Sequence, residues 1–210
     1  MMVFKINCLE KALTKQKYQN IYHKFVESET LINYQDCLIK IDQICLGGYK
    51  SFTVDGRAGV VKILSQRYPN IPVQMCIFYQ VQIVLRYTTR SPKNECGKDL
   101  KRLILTLKSA TKNEFIAQFN NLQIKHQDYP NEYTINPFTN RKQFSHKNHR
   151  SAIRSINSHL QNLFTFQDYP DLNISPTTNS CDGSFGHWKT KVKLHRGVSI
   201  QRKNKLLMNF

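Results

Sequence analysis

Acidic residues are scarce in this chain. Its 210 residues carry 14 Asp and Glu against 31 Lys and Arg, a formal charge of +17 at pH 7. That imbalance points to a polyanionic partner, either nucleic acid or an anionic membrane surface. Long apolar runs are also missing: no stretch of about 18 apolar residues occurs, which argues against a transmembrane helix. The opening MMVFKINCLEKALTKQ has no apolar core of the kind a secretory leader needs. Six cysteines (Cys8, Cys37, Cys45, Cys76, Cys96, Cys181) form no C-x-x-C pair. Without a leader they read as reduced and mostly buried thiols, so the expectation is an intracellular, cytoplasmic protein. A nucleophile elbow is lacking, and the GRAG at 56–59 is not followed by the Lys-Ser/Thr of a phosphate loop. Internal repeats and low-complexity tracts are absent.

What is present describes a folded chain. Apolar residues make up 40% and aromatic residues 11%, enough for one sizeable core or a core with an inserted subdomain. The positive excess is shared almost equally between the two halves, so no detachable basic tail accounts for it. A basic ribosome-associated protein would fit the same bulk figures.

Spacing predicts short strands at 2–6 and 20–26, then a helix over 29–46 with Leu31, Ile32, Cys37 or Leu38, Ile41 and Cys45 at helical steps and Gly47-Gly48 as its stop. A buried strand at 51–54 runs into Asp55-Gly56, a helix covers 58–68, and a further strand covers 71–76. This alternation predicts an α/β sheet with parallel neighbours. From 77 the pattern turns helical, over 77–88, 95–108, 112–125 and 149–164, with a polar connection at 126–148. The domain reading is therefore 1–76 for the first part of an α/β core, 77–166 for a mostly helical insertion, and 167–210 for a linker and two helices. The second of those helices, about 199–208, is basic.

Two acids stand out. Asp55 sits where open α/β sheets place their sites, at the C-terminal end of a strand with a glycine beside it. The plainer alternative is a strand-to-helix turn in which Asp55 caps the next helix. Asp182 lies at the mouth of a helix, and from Gly183 to the C-terminus there are seven Lys or Arg residues and no acid. A carboxylate facing a purely basic tail suggests metal chemistry on a polyanion. The helix dipole alone would also favour an acid there, and a solvated face would account for Lys189, Lys191 and Lys193. Cys76-x-x-Tyr79 is half a zinc motif at most, and His146-x-x-His149 has ligand types at helical spacing without further ligands near in sequence.

Four blocks in order carry a family resemblance: SFTVDGRAGVVKIL (51–64), IPVQMCIFYQVQIVLRYTTRSPK (71–93), HRSAIRSINSHLQNLFTF (149–166) and TTNSCDGSFGHWKTKVKLHRGVS (177–199). They resemble Mutator-type bacterial insertion-sequence transposases of the variant group with N-terminal zinc-binding modules. The resemblance spans essentially the whole chain and implies an RNase H-like core split by a helical insertion. It also implies three acids that hold two divalent cations, Mg²⁺ or Mn²⁺, for in-line phosphoryl transfer on DNA. Asp55 matches the second acid and Asp182 the third. Arg57, Lys189, Lys191, Lys193, His195, Arg196, Arg202 and Lys203 become the expected DNA contacts.

The departures are specific. The first acid belongs on an opening strand that should precede MMVFKI. The family's C-x-x-H is Cys76-x-x-Tyr79 here, and Cys181 replaces an aliphatic residue. The expectation is an N-terminally truncated transposase with an incomplete RNase H-like core, marginally stable and without strand-transfer activity. A non-catalytic DNA-binding remnant that forms mixed oligomers with full-length copies, or a basic RNA-binding protein, are the alternatives.

Overall fold

The computed structural model describes residues 4–8, 30–45 and 48–179, with isolated positions at 22, 26, 28, 186, 190, 197, 199 and 202. The described chain is mixed α/β, with helices outweighing a few short strands. It divides into two compact units, one gathering the chain up to Gln74 with the segment from Thr177, the other running from Met75 to Pro176.

The first unit is built on a sheet of order β1-β2-β3, with β1 at Phe4–Cys8, β2 at Tyr49–Val54 and β3 at Val73–Met75. β1 runs antiparallel to β2, pairing Phe4 with Val54 and Ile6 with Phe52, with a register irregularity between Asn7 and Cys8. The strands expected as parallel neighbours, 51–54 and 71–76, correspond to β2 and β3, which do lie side by side; the antiparallel edge at β1 is an addition to that expectation. Apolar periodicity reports which residues are buried and carries no information on strand direction. The expected strand at 20–26 falls largely outside the described residues, and Tyr22 and Val26 are in neither helix nor strand.

β2, flanked by a neighbour on each side, is buried at every position except Lys50. That is the pattern of a strand covered on both faces. Helix α1 (Leu31–Cys45) buries Tyr34, Cys37, Leu38, Ile41 and Cys45, one stripe at three- and four-residue steps. The hydroxyl of Thr30 accepts the Asn33 N–H at 3.3 Å to cap its start, and the Gly48 N–H returns to the Cys45 carbonyl beyond its end. Helix α2 (Ala58–Arg67) adds Val60 and Leu64 to the core formed with Phe52, Val54 and Val73. Phe52, Val54 and Leu64 are wholly removed from solvent, each contributing roughly 1.5–3 kcal/mol of hydrophobic stabilisation.

The second unit packs helices α3 (Ile77–Thr88), α4 (Glu95–Thr106), α5 (Lys112–Lys125) and α6 (Lys147–Leu163), followed by a short α7 (Thr165–Asp168). Its core includes Val84, Leu100, Ile104, Phe115, Phe119, Ile156 and Phe164. Local chemistry sets the helix starts. The Asn94 side chain accepts the Gly97 N–H at 2.7 Å, and Thr111 and Glu114 form a reciprocal capping box on α5. The segment 169–176, expected as a linker, lies inside this unit: it forms a 3-10 turn at Pro170–Leu172, buries Ile174, and accepts the Ile77 N–H at the Pro176 carbonyl, 2.9 Å away.

The polar connection at 126–148 is also structured. A 3-10 turn at Tyr129–Asn131 leads into a hairpin of β4 (Tyr133–Ile135) and β5 (Lys142–Phe144), antiparallel with Tyr133 opposite Phe144 and Ile135 opposite Lys142. One face therefore carries Tyr133, Ile135, Lys142 and Phe144, the other Thr134 and Gln143. At the tip, the Asn136 side chain accepts the N–H groups of Phe138 and Thr139, and Asn140 takes a left-handed φ of 50°.

Candidate functional site

Asp55 is delivered by β2. The chain leaves the sheet after Val54 through Asp55, Gly56 and Arg57, and α2 begins at Ala58. Gly56 takes φ 83°, a conformation that L side chains adopt at a cost. The sharp exit that leaves Asp55 at the C-terminal edge of the sheet therefore depends on glycine. Asp55 is half-buried, and its Oδ1 accepts the Arg57 backbone N–H at 3.3 Å. That bond is an Asx turn, so the carboxylate serves the strand-to-helix turn as well as standing where an α/β site is placed.

Arg57 is the N-cap residue of α2, and its carbonyl accepts the N–H groups of Val60 and Val61. Its guanidinium carbon lies 5.8 Å from the centroid of the Tyr34 ring, within cation–π reach. The side chain is exposed, so a fixed positive charge stands beside Asp55 in sequence and at the helix N-terminus, where anions are also favoured.

Among the other expected site residues, Arg202 is exposed and helical, with its backbone N–H 3.5 Å from the Ser199 hydroxyl. Asp182, Lys189, Lys191, Lys193, His195, Arg196 and Lys203 lie outside the described residues, and the expected pairing of Asp182 with Asp55 lies outside them too. The donor chemistry of Asp55 suits a divalent cation of the Mg²⁺ or Mn²⁺ kind, which prefers carboxylate oxygen. One carboxylate is too few to define such a site. Among the described residues no three His, Cys, Asp or Glu side chains gather as a ligand set.

The histidine pair at 146 and 149 has a different role. His146 precedes α6, its Nε2 lies 2.9 Å from a Glu132 carboxylate oxygen, and its ring stacks on Tyr129 at 3.7 Å between centroids. His149 is half-buried, and burial first, then the proximity of His146 and His126, holds its pKa below the ordinary 6.5. Cys76 is wholly buried at the start of α3 and Tyr79 packs edge-on against Phe78.

One polar centre was not visible in the sequence. The Asp42 carboxylate on α1 accepts the hydroxyls of Tyr49 and Tyr68, each at 2.6 Å on Oδ1, and the Arg67 guanidinium on Oδ2 at 2.5 and 3.0 Å. Burial alone would raise the Asp42 pKa, but these hydrogen bonds outweigh it and hold the carboxyl below its ordinary 3.8. Burial and the bond to Asp42 push the Tyr68 phenol up to about 12. Every strong donor here is matched, and the two tyrosine rings pack on Phe52 at 5.1 Å. The arrangement fastens α1 and the end of α2 to β2. A signal for it existed only in three dimensions, since Asp42 and Arg67 are 25 residues apart.

No described helix is long and apolar enough to cross a membrane. No family model, curated protein or solved structure matches this chain.

Proposed function

We propose that this chain is a DDE-type transposase-family protein that acts on DNA, with Asp55 and Asp182 as two acids of an RNase H-like phosphoryl-transfer site. The observation that carries this reading is the position of Asp55. It leaves the C-terminal end of a strand flanked on both sides, through a glycine with positive φ, at the start of a helix. The charge of +17 and the order of the four sequence blocks support it. Arg57, Lys189, Lys191, Lys193, His195, Arg196, Arg202 and Lys203 then neutralise DNA phosphates, and homo-oligomers or mixed oligomers with longer copies are the partner assemblies. A divalent cation, Mg²⁺ or Mn²⁺, would supply Lewis-acid activation when bound; the chain's own part is to hold carboxylate oxygens at the strand end and to fix the DNA backbone.

A second reading, a DNA-binding protein without catalysis, is favoured by the Asx turn at Asp55, which already gives that carboxylate a structural task. Asp55→Asn separates the two, because an amide oxygen can still accept the Arg57 N–H while the negative charge is lost. On the first reading, Mn²⁺ raises the thermal midpoint of the wild-type chain and not of Asp55→Asn. Plasmid nicking that needs Mn²⁺ and disappears in Asp55→Asn would establish catalysis. Equal Mn²⁺ responses in both proteins would leave only the turn. Duplex DNA binding is common to both readings and should weaken steeply with salt; a chain that prefers RNA in direct competition would overturn both.

A further inference from the structure

The hairpin β4–β5 projects features that the fold itself does not use. Phe138 at its tip is 95% exposed, and every residue of the hairpin from Tyr133 to Gln143 is exposed except half-buried Asn136. A two-stranded ribbon with no covered face is marginal by itself. This one is held by its own cross-strand contacts: Tyr133 edge-on against Phe144, the Asn136 N–H on the Arg141 carbonyl at 3.0 Å, and the Ser145 N–H on the Glu132 carbonyl at 2.9 Å. The result is a defined arm that presents an apolar point.

Charge identifies the occupant. No acid occurs between Glu132 and Asp168, whereas Arg141, Lys142, Lys147, Arg150 and Arg154 all lie there. Glu132, the residue that leads into β4, has a carboxylate oxygen 2.9 Å from His146 Nε2. Two cations stand over aromatic rings of the arm, Lys142 Nζ over Tyr133 at 4.3 Å and, from α6, the Arg150 guanidinium over Phe144 at 4.0 Å. Lys147, Arg150 and Arg154 follow at three- and four-residue spacing along the first turns of α6, which places them on one side of that helix. An apolar tip between basic flanks suits a polyanion whose interior is apolar, which is duplex DNA.

We propose that the β4–β5 hairpin is a DNA-binding arm: it enters a groove, Phe138 wedges against the bases, and Arg141, Lys142, Lys147 and Arg154 contact the flanking phosphates. Strands about 4.8 Å apart form a ribbon that a DNA groove admits, and aromatic or aliphatic wedges between base steps are a known means of gripping DNA. The arm rests on the reading of DNA as partner, but not on Asp55 or on any metal.

The test is fluorescence anisotropy of the full chain with a mixed-sequence DNA duplex, over a range of salt. Phe138→Ala should weaken binding about tenfold, as expected when one aromatic–base stack is removed, with the salt slope unchanged because an apolar wedge releases no counterions. Arg141→Ala with Lys142→Ala should instead reduce the slope by about two, near 0.9 for each phosphate no longer neutralised. Neither change touches the core, so thermal midpoints should stay at the wild-type value. Ile124→Ala, which removes another exposed apolar side chain (70%) from α5, should bind as wild type. Wild-type DNA binding that all hairpin variants retain would overturn the arm and leave the proposed function standing. A wild-type chain that binds no duplex would overturn both. A Phe138→Ala effect on sedimentation rather than on DNA affinity would assign the tip to a second copy of this chain, against the proposal.

Discussion

The Nε2 of His149 lies 2.9 Å from the point where a β-carbon on Gly97 would stand. Two other atoms crowd the same point at 2.9 Å, Asn94 Oδ1 and the Pro92 β-carbon. The first turns of α4 and α6 thus meet through the absence of a side chain.

Gly97→Ala should therefore destabilise the protein, against the usual gain of about 1 kcal/mol for alanine over glycine within a helix. Overpacking of this kind typically costs about 1–3 kcal/mol, and Asn94, which caps the helix by accepting the Gly97 N–H, is one of the atoms displaced. Urea unfolding of the variant should give a lower midpoint; a higher one would show that the three neighbours yield freely.

His149 should make stability depend on pH in the weakly acidic range. Its pKa is lowered on folding, so the unfolded chain binds the proton more readily. Stability is complete above the ordinary value of 6.5 and falls as pH drops below it, until the depressed folded pKa is passed. Thermal midpoints measured from pH 7.5 to 5 should decline, and His149→Asn should flatten that part of the curve. The lowered carboxyl groups of Asp42 and Asp99 act further down, below their ordinary 3.8, and do not obscure it.

Removing Asp42 should cost more than removing an ordinary surface acid. Asp42→Ala strands two tyrosine hydroxyls and a guanidinium that now converge on one carboxylate. Bonds to a charged group are worth about 1.5–3 kcal/mol each when buried, but Asp42 retains 27% exposure and water can replace part of them. A loss of about 2 kcal/mol is expected from equilibrium unfolding. Tyr68→Phe in the Asp42→Ala background should add less than it does alone, since the pair shares one network.

Gly56→Ala places a β-carbon at φ 83°. The left-handed backbone costs a non-glycine residue about 1–2 kcal/mol, and relief of that strain would move Asp55. The unfolding midpoint should fall, and any Mn²⁺ response of the wild type should weaken along with it.

Elements with their own endpoints were legible in the sequence. α3 and α5 begin and end at the residues their periodicity marks, because caps and apolar stripes are local. The exit of β2 into Asp55-Gly56 was legible for the same reason, since strand, acid, glycine and helix follow one another directly. The antiparallel course of β1 was not, because direction depends on where a connection of about 40 residues returns the chain. In the sequence the hairpin reads as a polar connection: neither face of β4 or β5 is buried, so the alternation that normally betrays a strand has no core to report. Only Tyr-Thr-Ile and Lys-Gln-Phe, on either side of the Asn- and Pro-containing turn, hinted at it. The Asp42 centre joins distant residues and left no local trace.

The bond from the Ile77 N–H to the Pro176 carbonyl closes the second unit upon itself. Chain enters and leaves that unit through neighbouring backbone, as through a single doorway. A segment with adjoining ends can be lengthened, trimmed or exchanged without asking the rest of the polypeptide to span a new distance. It also makes Met75–Pro176 a natural unit for excision, bridged by a few residues, in any attempt to separate this protein into working parts.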